Sequence, residues 1–435
     1  MAFNEGNFQD IMSEFAATPE FIREVAANFQ KDLQIGLRDP KSSSMRMLKS
    51  YVGLPSGKET GEFLALDFGG TNVRVLRIKL EGEGRYEIIK KVGEPLILEG
   101  KYDYIGKNST ADEMFGFLAR LIDEAIEGDH STKFYLGHTF SFPSTQDNLY
   151  NARLIIWTKE FATQGVEGEV ANDLLVAALK RRGAGNVEPV AVLNDTVAVL
   201  LSAAYKTPDT FIGSIYATGH NTCYLEPSIH DPNGVGLGGM ILNLECGNFS
   251  KLVPNRFDKE YDERSEKPGE QRFEKMVSGR YMGELFGMAI AELLGEKGKK
   301  YGFTSVDMSM IMLDESDNLQ RASDIIMAKV GHELDLDDVK KVKKLAETIV
   351  IRSARLVAAS FVALVWQRAG SGKIQKQHVA VDGSVYEKMP NAKENIIKAL
   401  SELLGEDAAQ VDTILDNGGS GLGAAIAAAM VKSNA

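Results

Sequence analysis

Hydrophobic residues recur along this chain with two periods, the helical one and the alternating one of strands. Phe21, Val25, Phe29 and Leu33 stand at helical spacing, so residues 1–60 are predicted to form a helical lead-in. An alternating pattern begins near Phe63. In the first half, strands are predicted from about 63 and at 73–80, 86–92, 136–140 and 190–193, and helices through 115–126 and at 171–182, the last ending at Gly183.

A similar order of elements begins again at residue 211. Strands are predicted at 211–216, 222–226, 240–244 and 379–381, helices at 274–294, 339–345, 348–367 and 393–404, and one more strand and helix close the chain. Each half opens with two strands joined by a short turn that contains Thr, Gly and Asn. Because two such turns can clamp one nucleotide from opposite sides, we predict an α/β protein of two domains around an interdomain cleft.

Length and composition agree with two domains. A chain of 435 residues exceeds the usual size of one hydrophobic core, while 44% hydrophobic and 25% charged residues are ordinary values for a soluble globular protein. The net charge of −12 opposes binding to nucleic acid or anionic lipid. The basic run at 340–344 follows an acidic segment and is typical of a solvated helix face, so it does not change this expectation.

The chain carries no predicted membrane span or signal peptide. Its longest apolar run, 356–366, is far shorter than the roughly 20 residues of a span and is predicted to be a buried core helix. The first 30 residues carry acids throughout and lack a compact apolar core. Only two cysteines, Cys223 and Cys246, are present, which favours a reducing compartment. We therefore expect a cytoplasmic protein with no nucleic-acid or membrane partner.

The most informative motif of the chain is LALDFGGTNVR, where an apolar run ends in Asp67 before two glycines and two short polar side chains. Glycine permits positive φ and close approach of the backbone, so the loop N–H groups, with Thr71 and Asn72, can hold phosphoryl oxygens. Asp67 would face a metal ion or its waters. An ordinary hairpin is the alternative, and it would explain Gly69 and Gly70 but not the polar residues around them.

Two further segments, TFSFP at 139–143 and LIIWTK at 154–159, place hydroxyl groups beside aromatic rings. A sugar suits such a surface, because its hydroxyls need donors and acceptors while its faces need apolar contact. Lys159 adds a positive charge that could lie over a transferring phosphoryl group. The alternative is that Trp157 belongs to the core and Lys159 to the solvated surface.

The segment VAVLNDT is predicted to be a buried strand that delivers Asn194, Asp195 and Thr196 to its carboxyl end, where open α/β sheets place ligands. In phosphoryl transfer to an alcohol, Asp195 would accept the hydroxyl proton as the oxygen attacks the γ-phosphorus. A metal ion, Lys159 and loop N–H groups would stabilise the charge of the phosphoryl oxygens. The alternative is that Asp195 only caps a helix that begins near Val197.

Two more groups of residues have weaker signals. Asn243–Glu245 and Gln271–Glu274 supply carboxylates and amides that bind vicinal diols, although Glu274 could simply favour the positive end of a helix dipole. Glycine-rich segments at 381–386 and 418–425 can accommodate adenosine or an anion, although close packing of a helix against a sheet also needs small residues.

Taken together, these motifs resemble the hexokinase family, the eukaryotic-type hexokinases and glucokinases of the actin-like ATPase superfamily. The blocks LDFGGTNVRV, TFSFP, WTK, LNDT, NxExG, VDGSVY and GSGxGAA occur in the order of the family, and the resemblance runs from about Phe21 through the final helix. It implies two actin-like, ribonuclease H-like α/β domains, a small one of 61–194 and 417–435 and a large one of 1–60 and 195–416. Glucose binding would close them and exclude water.

The resemblance also implies roles for individual residues. Asp195 would be the catalytic base, and Lys159 would share in catalysis. The hexose would be bound by Ser141, Thr158, Lys159, Asn194, Asp195, Asn221, Glu245, Gln271 and Glu274. The nucleotide would be bound by Asp67, Gly69, Gly70, Thr71, Asn72 and Arg74 of the first phosphate hairpin, by Thr218 and Gly219 of the second, and by Gly383, Ser384, Gly419 and Ser420. Asp67 would hold the metal ion through water.

The implied activity is transfer of the ATP γ-phosphoryl group to the 6-hydroxyl of glucose, and also of mannose or fructose, as the first step of glycolysis. ATP and Mg²⁺ are the expected cofactors, and a monomer or homodimer is the expected state. A non-catalytic hexose-sensing regulator with the same fold is one alternative, and an actin-like or chaperone-like ATPase is another. The phosphoryl donor and the preferred hexose stay open, because polyphosphate or ADP would use the same anion loops.

Three residues depart from the pattern of the family. Glu160 replaces the glycine after WTK, Ala217 replaces the first glycine of the second phosphate turn, and Cys246 replaces the tryptophan after Glu245. Ala217 would weaken ATP binding if that position needs a positive φ, and Glu160 adds a negative charge beside Lys159.

Overall fold

A computed structural model describes residues 3–68, 70, 72–158, 160–229 and 234–434, so the predicted site residues Gly69, Thr71 and Lys159 lie outside the described residues. The helices are α1 (Glu5–Glu14), α2 (Pro19–Arg38), α3 (Ala111–Ala125), α4 (Ala171–Arg182), α5 (Asp195–Lys206), α6 (Arg256–Arg264), α7 (Arg272–Val277), α8 (Gly279–Leu293), α9 (Ser305–Met312), α10 (Gln320–Val330), α11 (Leu336–Ala369), α12 (Ser384–Lys388), α13 (Ala392–Leu404) and α14 (Gly419–Asn434).

The strands follow the same chain order. They are β1 (Leu48–Lys49), β2 (Thr60–Phe68), β3 (Asn72–Gly82), β4 (Arg85–Pro95), β5 (Ile97–Leu98), β6 (Tyr102–Asp103), β7 (Phe134–Phe140), β8 (Ser144–Thr145), β9 (Arg153–Leu154), β10 (Val187–Leu193), β11 (Thr210–Tyr216), β12 (His220–Glu226), β13 (Met240–Asn243), β14 (Gln377–Asp382) and β15 (Val411–Leu415). Short 3-10 helices lie at Pro40–Ser42, Cys246–Asn248 and Gly405–Gln410. The predicted mixed α/β class is confirmed.

The chain divides into two units of dense internal contact. The first unit comprises Met1–Met47, Ile215–Thr222 and Leu244–Leu415, and the second comprises Leu48–Ser214, Cys223–Asn243 and Asp416–Ala435. The predicted small domain, 61–194 with 417–435, falls inside the second unit, which also holds 48–60, the helix α5 and part of β11. The predicted domain division stays a prediction.

A five-stranded sheet of order β10-β7-β2-β3-β4 forms the core of the second unit. Strands β2, β3 and β4 are antiparallel neighbours, whereas β7 is parallel to both β2 and β10. Successive side chains of a strand point to opposite faces, so Leu64 and Leu66 pack in one core cluster with α3 and α4. Phe63 and Ala65 pack in another cluster with α5 and α14. The carboxyl ends of β2, β7 and β10 consequently lie at one edge of this sheet.

Helix α11 forms the core of the first unit. Every residue from Arg352 to Val365 is buried, and α2 and α13 both pack against this helix. Among the described residues, α11 is the one helix long and apolar enough to cross a membrane, with a mean hydropathy of 1.8 over 18 residues, but 89% of that window is buried inside the protein. The prediction of a buried core helix at 356–366 is therefore confirmed.

The predicted elements differ from the structure in two helical regions. The helix predicted at 274–294 is divided into α7 and α8, because Ser278 is extended and the next amide, of Gly279, donates to the Ala217 carbonyl at 2.9 Å. The helices predicted at 339–345 and 348–367 are one helix, α11, since no helix-breaking residue lies between them. The helix predicted at 171–182 matches α4, and Gly183 ends it in the left-handed conformation.

Candidate functional site

In the second unit, Asp67 stands near the carboxyl end of β2 and faces two neighbouring strands. It lies opposite Arg74 of β3 and Thr139 of β7 in the register of the sheet. The Thr139 hydroxyl donates to Asp67 Oδ1 at 3.0 Å, and Arg74 Nε lies 3.6 Å from Oδ2. The Asp67 side chain is still 19% exposed. These contacts orient the carboxylate while leaving part of it in solvent.

Besides Asp67 and Arg74, the predicted first phosphate hairpin has two described residues, Gly70 and Asn72. A Cβ atom added at Gly70 would meet nothing within 4 Å, and Gly70 does not have a positive φ. Neither crowding nor backbone conformation therefore requires glycine at this position. A ligand that approaches the backbone closely would require it. Asn72 begins β3 with an exposed side chain.

Asp195 is the first residue of α5, immediately after β10. The N-cap of this helix is Asn194, whose side-chain oxygen accepts from the Thr196 N–H at 2.9 Å. The N-cap position therefore belongs to Asn194 and not to Asp195, although Asp195 Oδ1 also accepts from the Thr196 N–H at 2.8 Å. The catalytic role expected for Asp195 stays a prediction. The Asp195 N–H donates to Ser141 Oγ at 3.0 Å. The structure thus brings Ser141, Asn194 and Asp195 together.

This group and Asp67 lie at the same edge of the sheet. In the register of the parallel strands, Thr139 pairs with Asp67 on one side and with Leu193, the last residue of β10, on the other. The predicted site residues of β2 and those that follow β10 consequently come from the two strand ends on either side of β7, at the sheet edge where ligands bind in open α/β sheets.

The WTK motif begins with a core residue. Trp157 packs edge-on against Phe142, with ring centroids 4.7 Å apart, and its indole N–H donates to the Thr163 carbonyl at 2.9 Å. The prediction that Trp157 belongs to the core is confirmed. Thr158 is half-buried and Glu160 is exposed, so the residues that flank Lys159 on both sides reach solvent.

The start of α14 is built by close packing inside the second unit. A Cβ atom at Gly419 would lie 1.8 Å from Asp416 Oδ2. Lys206 of α5 forms an ion pair with Asp416, which is almost fully buried. Packing alone therefore explains Gly419, and the expected nucleotide contact of Gly419 and Ser420 stays a prediction.

In the first unit, the second phosphate turn is held by the start of α8. The Gly279 N–H donates to the Ala217 carbonyl at 2.9 Å, and the Arg280 N–H donates to the Thr218 carbonyl at 3.1 Å. Ala217 does not have a positive φ. Its replacement of the family's glycine thus causes no backbone strain. A Cβ atom at Gly219 would lie 2.8 Å from Glu274 Oε1, so this turn also borders the carboxylate of Glu274.

Gly383 is required by the backbone beside that turn. Its φ is +133°, and an added Cβ would lie 2.4 Å from the Tyr216 carbonyl oxygen. Ser384 begins α12 directly after it. The predicted nucleotide residues Thr218, Gly219 and Gly383 therefore lie close together in the first unit.

The predicted hexose residues of the first unit also converge. Asn221 Nδ2 donates to Glu245 Oε1 at 3.4 Å. An added Cβ at Gly247 would lie 2.2 Å from Gln271 Oε1 and 3.0 Å from Glu274 Cβ, so both side chains border the turn after Glu245. Glu245 and Gln271 both have a positive φ, near 50°. Four amide and carboxylate side chains thus surround one small region, held by two non-glycine residues in a left-handed conformation.

The carboxylate of Glu274 is in an unfavourable environment for charge. Burial raises the pKa of Glu274, and the negative charge of Glu245 raises it further. The backbone N–H of His220, 3.1 Å from Oε1, lowers the pKa, but the net effect is an increase. Burial also raises the pKa of the Cys246 thiol to about 12. Cys246 is consequently an uncharged core residue at the position where the family has tryptophan.

Three residues, one that contacts a predicted site residue in the second unit and two that do so in the first, were not predicted from the sequence. Thr139 holds Asp67, His220 donates its backbone N–H to Glu274, and Arg280 stands beside Thr218. Thr139 lies inside the TFSFP motif and His220 inside the second turn, so both had a sequence signal. Arg280 had none, because it is an exposed residue of an amphipathic helix.

No group of three or more His, Cys, Asp or Glu side chains within the described ranges could hold a metal ion. A single carboxylate is nevertheless enough for a magnesium ion that arrives with a nucleotide, because Mg²⁺ keeps several waters and takes phosphate oxygens as ligands. Asp67, partly exposed at a strand end, fits that role.

Comparison with known proteins gives consistent matches over the whole chain. Family models described as hexokinase match residues 7–205 and 211–430. Hexokinase-1 of Schizosaccharomyces pombe is 32% identical over 452 residues, which cover 98% of this chain and 91% of that protein. A crystal structure of a hexokinase has a TM-score of 0.87 at 32% identity, covering 98% of this chain and 99% of the other. The hexokinase from Schistosoma mansoni complexed with glucose has a TM-score of 0.80 at 30% identity, with the same coverage.

Proposed function

This chain belongs to the hexokinase family and is a phosphotransferase that acts on hexoses, and we propose that it transfers the γ-phosphoryl group of ATP to the 6-hydroxyl of glucose. We propose mannose and fructose as further acceptors, and the first step of glycolysis as the reaction served. The observation that carries the proposal is the position of Asp195, at the strand end beside Ser141 and Asn194.

Asp195 acts as the general base in this proposal. The 6-oxygen of the hexose forms a bond to the γ-phosphorus, the bond from that phosphorus to the β,γ-bridging oxygen breaks, and the hydroxyl proton moves to the Asp195 carboxylate. The hydrogen bond from the Asp195 N–H to Ser141 Oγ supports this role, because it fixes the first residue of α5. Lys159 would stabilise the charge of the transferring group.

We propose hexose-binding residues in each unit. Their shared feature is a polar side-chain group that can form a hydrogen bond with a ring hydroxyl, an ammonium in Lys159 and an oxygen or amide in the others, and they are Ser141, Thr158, Lys159, Asn194, Asn221, Glu245, Gln271 and Glu274. The convergence of the last four in the first unit supports this proposal. A sugar hydroxyl donating to Glu274 would compensate the carboxylate for the water that burial has removed.

The nucleotide is proposed to bind as MgATP. The turn at Thr218 and Gly219, with Gly383 beside it, would receive the phosphates, and Arg280 would add a positive charge there. Asp67 would contact the magnesium ion through water, and the ion would neutralise phosphoryl charge. The two buried free cysteines are compatible with the further proposal of a cytoplasmic location.

The experiment is a coupled assay of glucose and MgATP with the wild-type protein and the Asp195→Asn variant. Asparagine keeps the side-chain oxygen that accepts from Thr196 but cannot take a proton, so kcat should fall by about 10²–10⁴-fold while glucose binding remains measurable. The matched control is Asp112→Asn, which changes an exposed aspartate in the first turn of α3 of the same unit. It should leave kcat unchanged.

Other outcomes distinguish the alternatives. Full activity of the Asp195→Asn variant would contradict the proposed base. Tight glucose binding without product from the wild type would favour a sugar-sensing regulator, and ATP hydrolysis independent of sugar would favour an ATPase. The same assay with polyphosphate or ADP as donor, and with mannose or fructose as acceptor, would determine the substrate pair.

A further inference from the structure

A cavity of about 280 Å³ lies wholly within the first unit. It is lined by the end of α6 and the segment that follows, by one face of α8, and by residues 298–302. Tyr261, Tyr281 and Tyr301 contribute three aromatic rings, and Gly287 of α8 also lines the cavity, with nothing closer than 3.7 Å to an added Cβ atom. The volume is near the lower limit for small-ligand pockets, so it suits a compact metabolite.

Most of the cavity lining lies outside the groups to which the proposed reaction has been assigned, and Gln271 and Arg280 are the exceptions among the described residues. Among the described residues that line it, Gln271 is the one predicted hexose or nucleotide residue. Neither Glu245 nor Glu274 lines it, and the turn at Thr218 and Gly219 does not line it either. A molecule in this cavity would therefore be a second ligand and not the hexose acceptor.

The charged groups of the lining fall into two sets. Three cations are already engaged by acids: Arg264 by Glu260, Lys275 by Asp262 and Lys299 by Glu296. The second set has three cations, Lys267, Arg280 and Lys300, and three acids, Glu266, Glu270 and Glu284. None of these six takes part in an ion pair within the part of the chain that the structure describes. Apart from Arg280, which the proposed function places beside the nucleotide phosphates, these side chains are uncommitted donors and acceptors.

The segment after α6 is held in place by internal hydrogen bonds. The Lys275 ammonium is buried and donates to Asp262 Oδ1 at 2.6 Å, to Ser265 Oγ at 2.8 Å and to the Lys267 carbonyl at 2.9 Å. The Gly269 N–H donates to Asp262 as well. Because this side of the cavity is already ordered, a ligand would bind with little loss of conformational entropy.

We infer that this cavity binds a small sugar phosphate. Lysine and arginine are the side chains that bind phosphate, free carboxylates accept hydrogen bonds from sugar hydroxyls, and aromatic rings pack against the apolar face of a sugar ring. A free pentose phosphate and a nucleoside monophosphate share this chemistry, since both carry a ribose with a phosphate monoester. The experiment separates them.

Gln271 and Arg280 connect the cavity to the proposed active site. Gln271 is a proposed hexose ligand, and the Arg280 N–H holds the Thr218 carbonyl. Occupancy of the cavity should therefore change the KM for glucose more than kcat. This consequence rests on the proposed function, whereas the binding itself does not.

The test is isothermal titration calorimetry of the full chain with ribose 5-phosphate, AMP and inorganic phosphate, each in the presence of saturating glucose. A Gly287→Leu variant fills the cavity from α8, and Gly287→Ala is its control, because a Cβ there meets only Phe303 Cδ2 at an ordinary 3.7 Å. A Lys267→Gln and Lys300→Gln double variant removes two uncommitted cations. Its control is Lys373→Gln with Lys376→Gln, two exposed lysines outside the lining.

Ribose 5-phosphate should bind the wild type and both controls alike, and its Kd should rise at least tenfold in Gly287→Leu and in the lysine double variant. Binding of AMP alone with the same sensitivity to Gly287→Leu would assign the cavity to a nucleoside monophosphate. No binding of any probe, or binding that ignores Gly287→Leu, would overturn the inference. A protein that binds ribose 5-phosphate here but forms no hexose phosphate would instead refute the proposed function alone.

Discussion

At the scale of single residues, Glu274 has an environment that favours ligand binding over stability. Its carboxylate is largely buried and lies near the negative charge of Glu245, and its pKa is raised in consequence. A group with a raised pKa in the folded state contributes stability at low pH that is lost as the pH rises through the folded value. At neutral pH the ionised Glu274 therefore destabilises the protein that contains it.

The Glu274→Gln variant should be more stable than the wild type at neutral pH. Glutamine removes the buried charge but keeps an oxygen that can accept from the His220 N–H, so the free energy of unfolding should rise by about 1 kcal/mol at pH 7.5. Urea unfolding at pH 7.5 and pH 5 measures it. The gain should shrink at pH 5, because the wild-type carboxyl is then closer to its protonated form.

A control with the opposite sign is available in the same unit. Glu402 is paired with Arg355, and this partner lowers the pKa of Glu402 below its usual value. Glu402→Gln should therefore destabilise the protein at pH 7.5, and this effect should shrink only as the pH falls below the unfolded pKa toward the lowered folded value. A Glu274→Gln variant that is also less stable than the wild type at pH 7.5 would refute the argument.

Local motifs predicted some of the residue contacts but not all of them. Asp67 and Thr139 belong to adjacent strand ends, so a parallel sheet alone brings them together. The N–H of Arg280, by contrast, meets the carbonyl of Thr218, which is 62 positions earlier in the chain. Nothing in the residues around Arg280 encodes that contact, because it depends on how α8 packs against the second turn.

At the scale of elements, the packing of α14 against α5 positions the start of the helix that carries Asp195. A Cβ atom at Gly423 would lie 1.9 Å from the Ala198 carbonyl oxygen. The glycines of 418–425 had two explanations, a ligand or close packing. The structure supports close packing for Gly423, since only a residue without a side chain permits this approach.

The Gly423→Ala variant should consequently be destabilised by about 3 kcal/mol, at the upper end of overpacking effects, because the backbone atoms that the new methyl group meets cannot rotate away. Thermal or urea unfolding measures this loss. Activity should fall as well, since α5 must move. The matched control is Gly116→Ala in α3 of the same unit, where an added Cβ meets nothing within 4 Å.

Gly116→Ala should be neutral or stabilising by up to about 1 kcal/mol, because alanine favours helix more than glycine does. Equal stability of the two variants would show that α14 can shift away from α5 at little cost. In that case, close packing would not explain the glycine at position 423.

Element boundaries were predictable where the local sequence sets them. Helix α4 ends at Gly183, which adopts the left-handed conformation that glycine favours. The break between α7 and α8 has no such signal, because Ser278 is extended by tertiary contacts and the Gly279 amide bonds to Ala217 instead of the helix. Helix α11 shows the reverse effect, in which burial keeps one helix continuous through a stretch that local periodicity divided.

At the scale of the whole molecule, each unit contains, within the residues that the structure describes, one buried and uncharged histidine. His138 of the second unit is fully buried, and burial lowers its pKa to about 3. His220 of the first unit is also buried, and burial lowers its pKa to about 4, although its ring nitrogen Nδ1 lies 3.0 Å from the Ile215 carbonyl. Neither histidine takes up a proton in the folded protein at mildly acidic pH, whereas both do so in the unfolded chain near pH 6.5.

A lowered pKa of this kind contributes stability above the unfolded value, and that stability is lost as the pH falls from about 6.5 toward the folded value. Each buried histidine should remove about 1 kcal/mol of unfolding free energy between pH 6.5 and pH 5.5, as measured by urea unfolding across this range. His138→Phe should abolish the part of this stability loss that comes from His138, which is about half of the combined loss from the two histidines. Phenylalanine suits the site because the His138 ring stacks on Phe140, with centroids 5.9 Å apart.

His130→Phe provides the comparison, since His130 is exposed and its Nε2 lies 2.8 Å from Asp123 Oδ1. This variant should retain the acid sensitivity of the wild type. If His138→Phe also retains the acid sensitivity of the wild type, another group must take up the proton on unfolding. The two buried histidines would then not determine how stability falls at low pH. If His138→Phe lowers the dependence of the unfolding free energy on pH and His130→Phe does not, the stability at low pH depends on a residue outside the proposed site. The stability of the kinase at low pH can then be changed without altering its proposed catalytic groups.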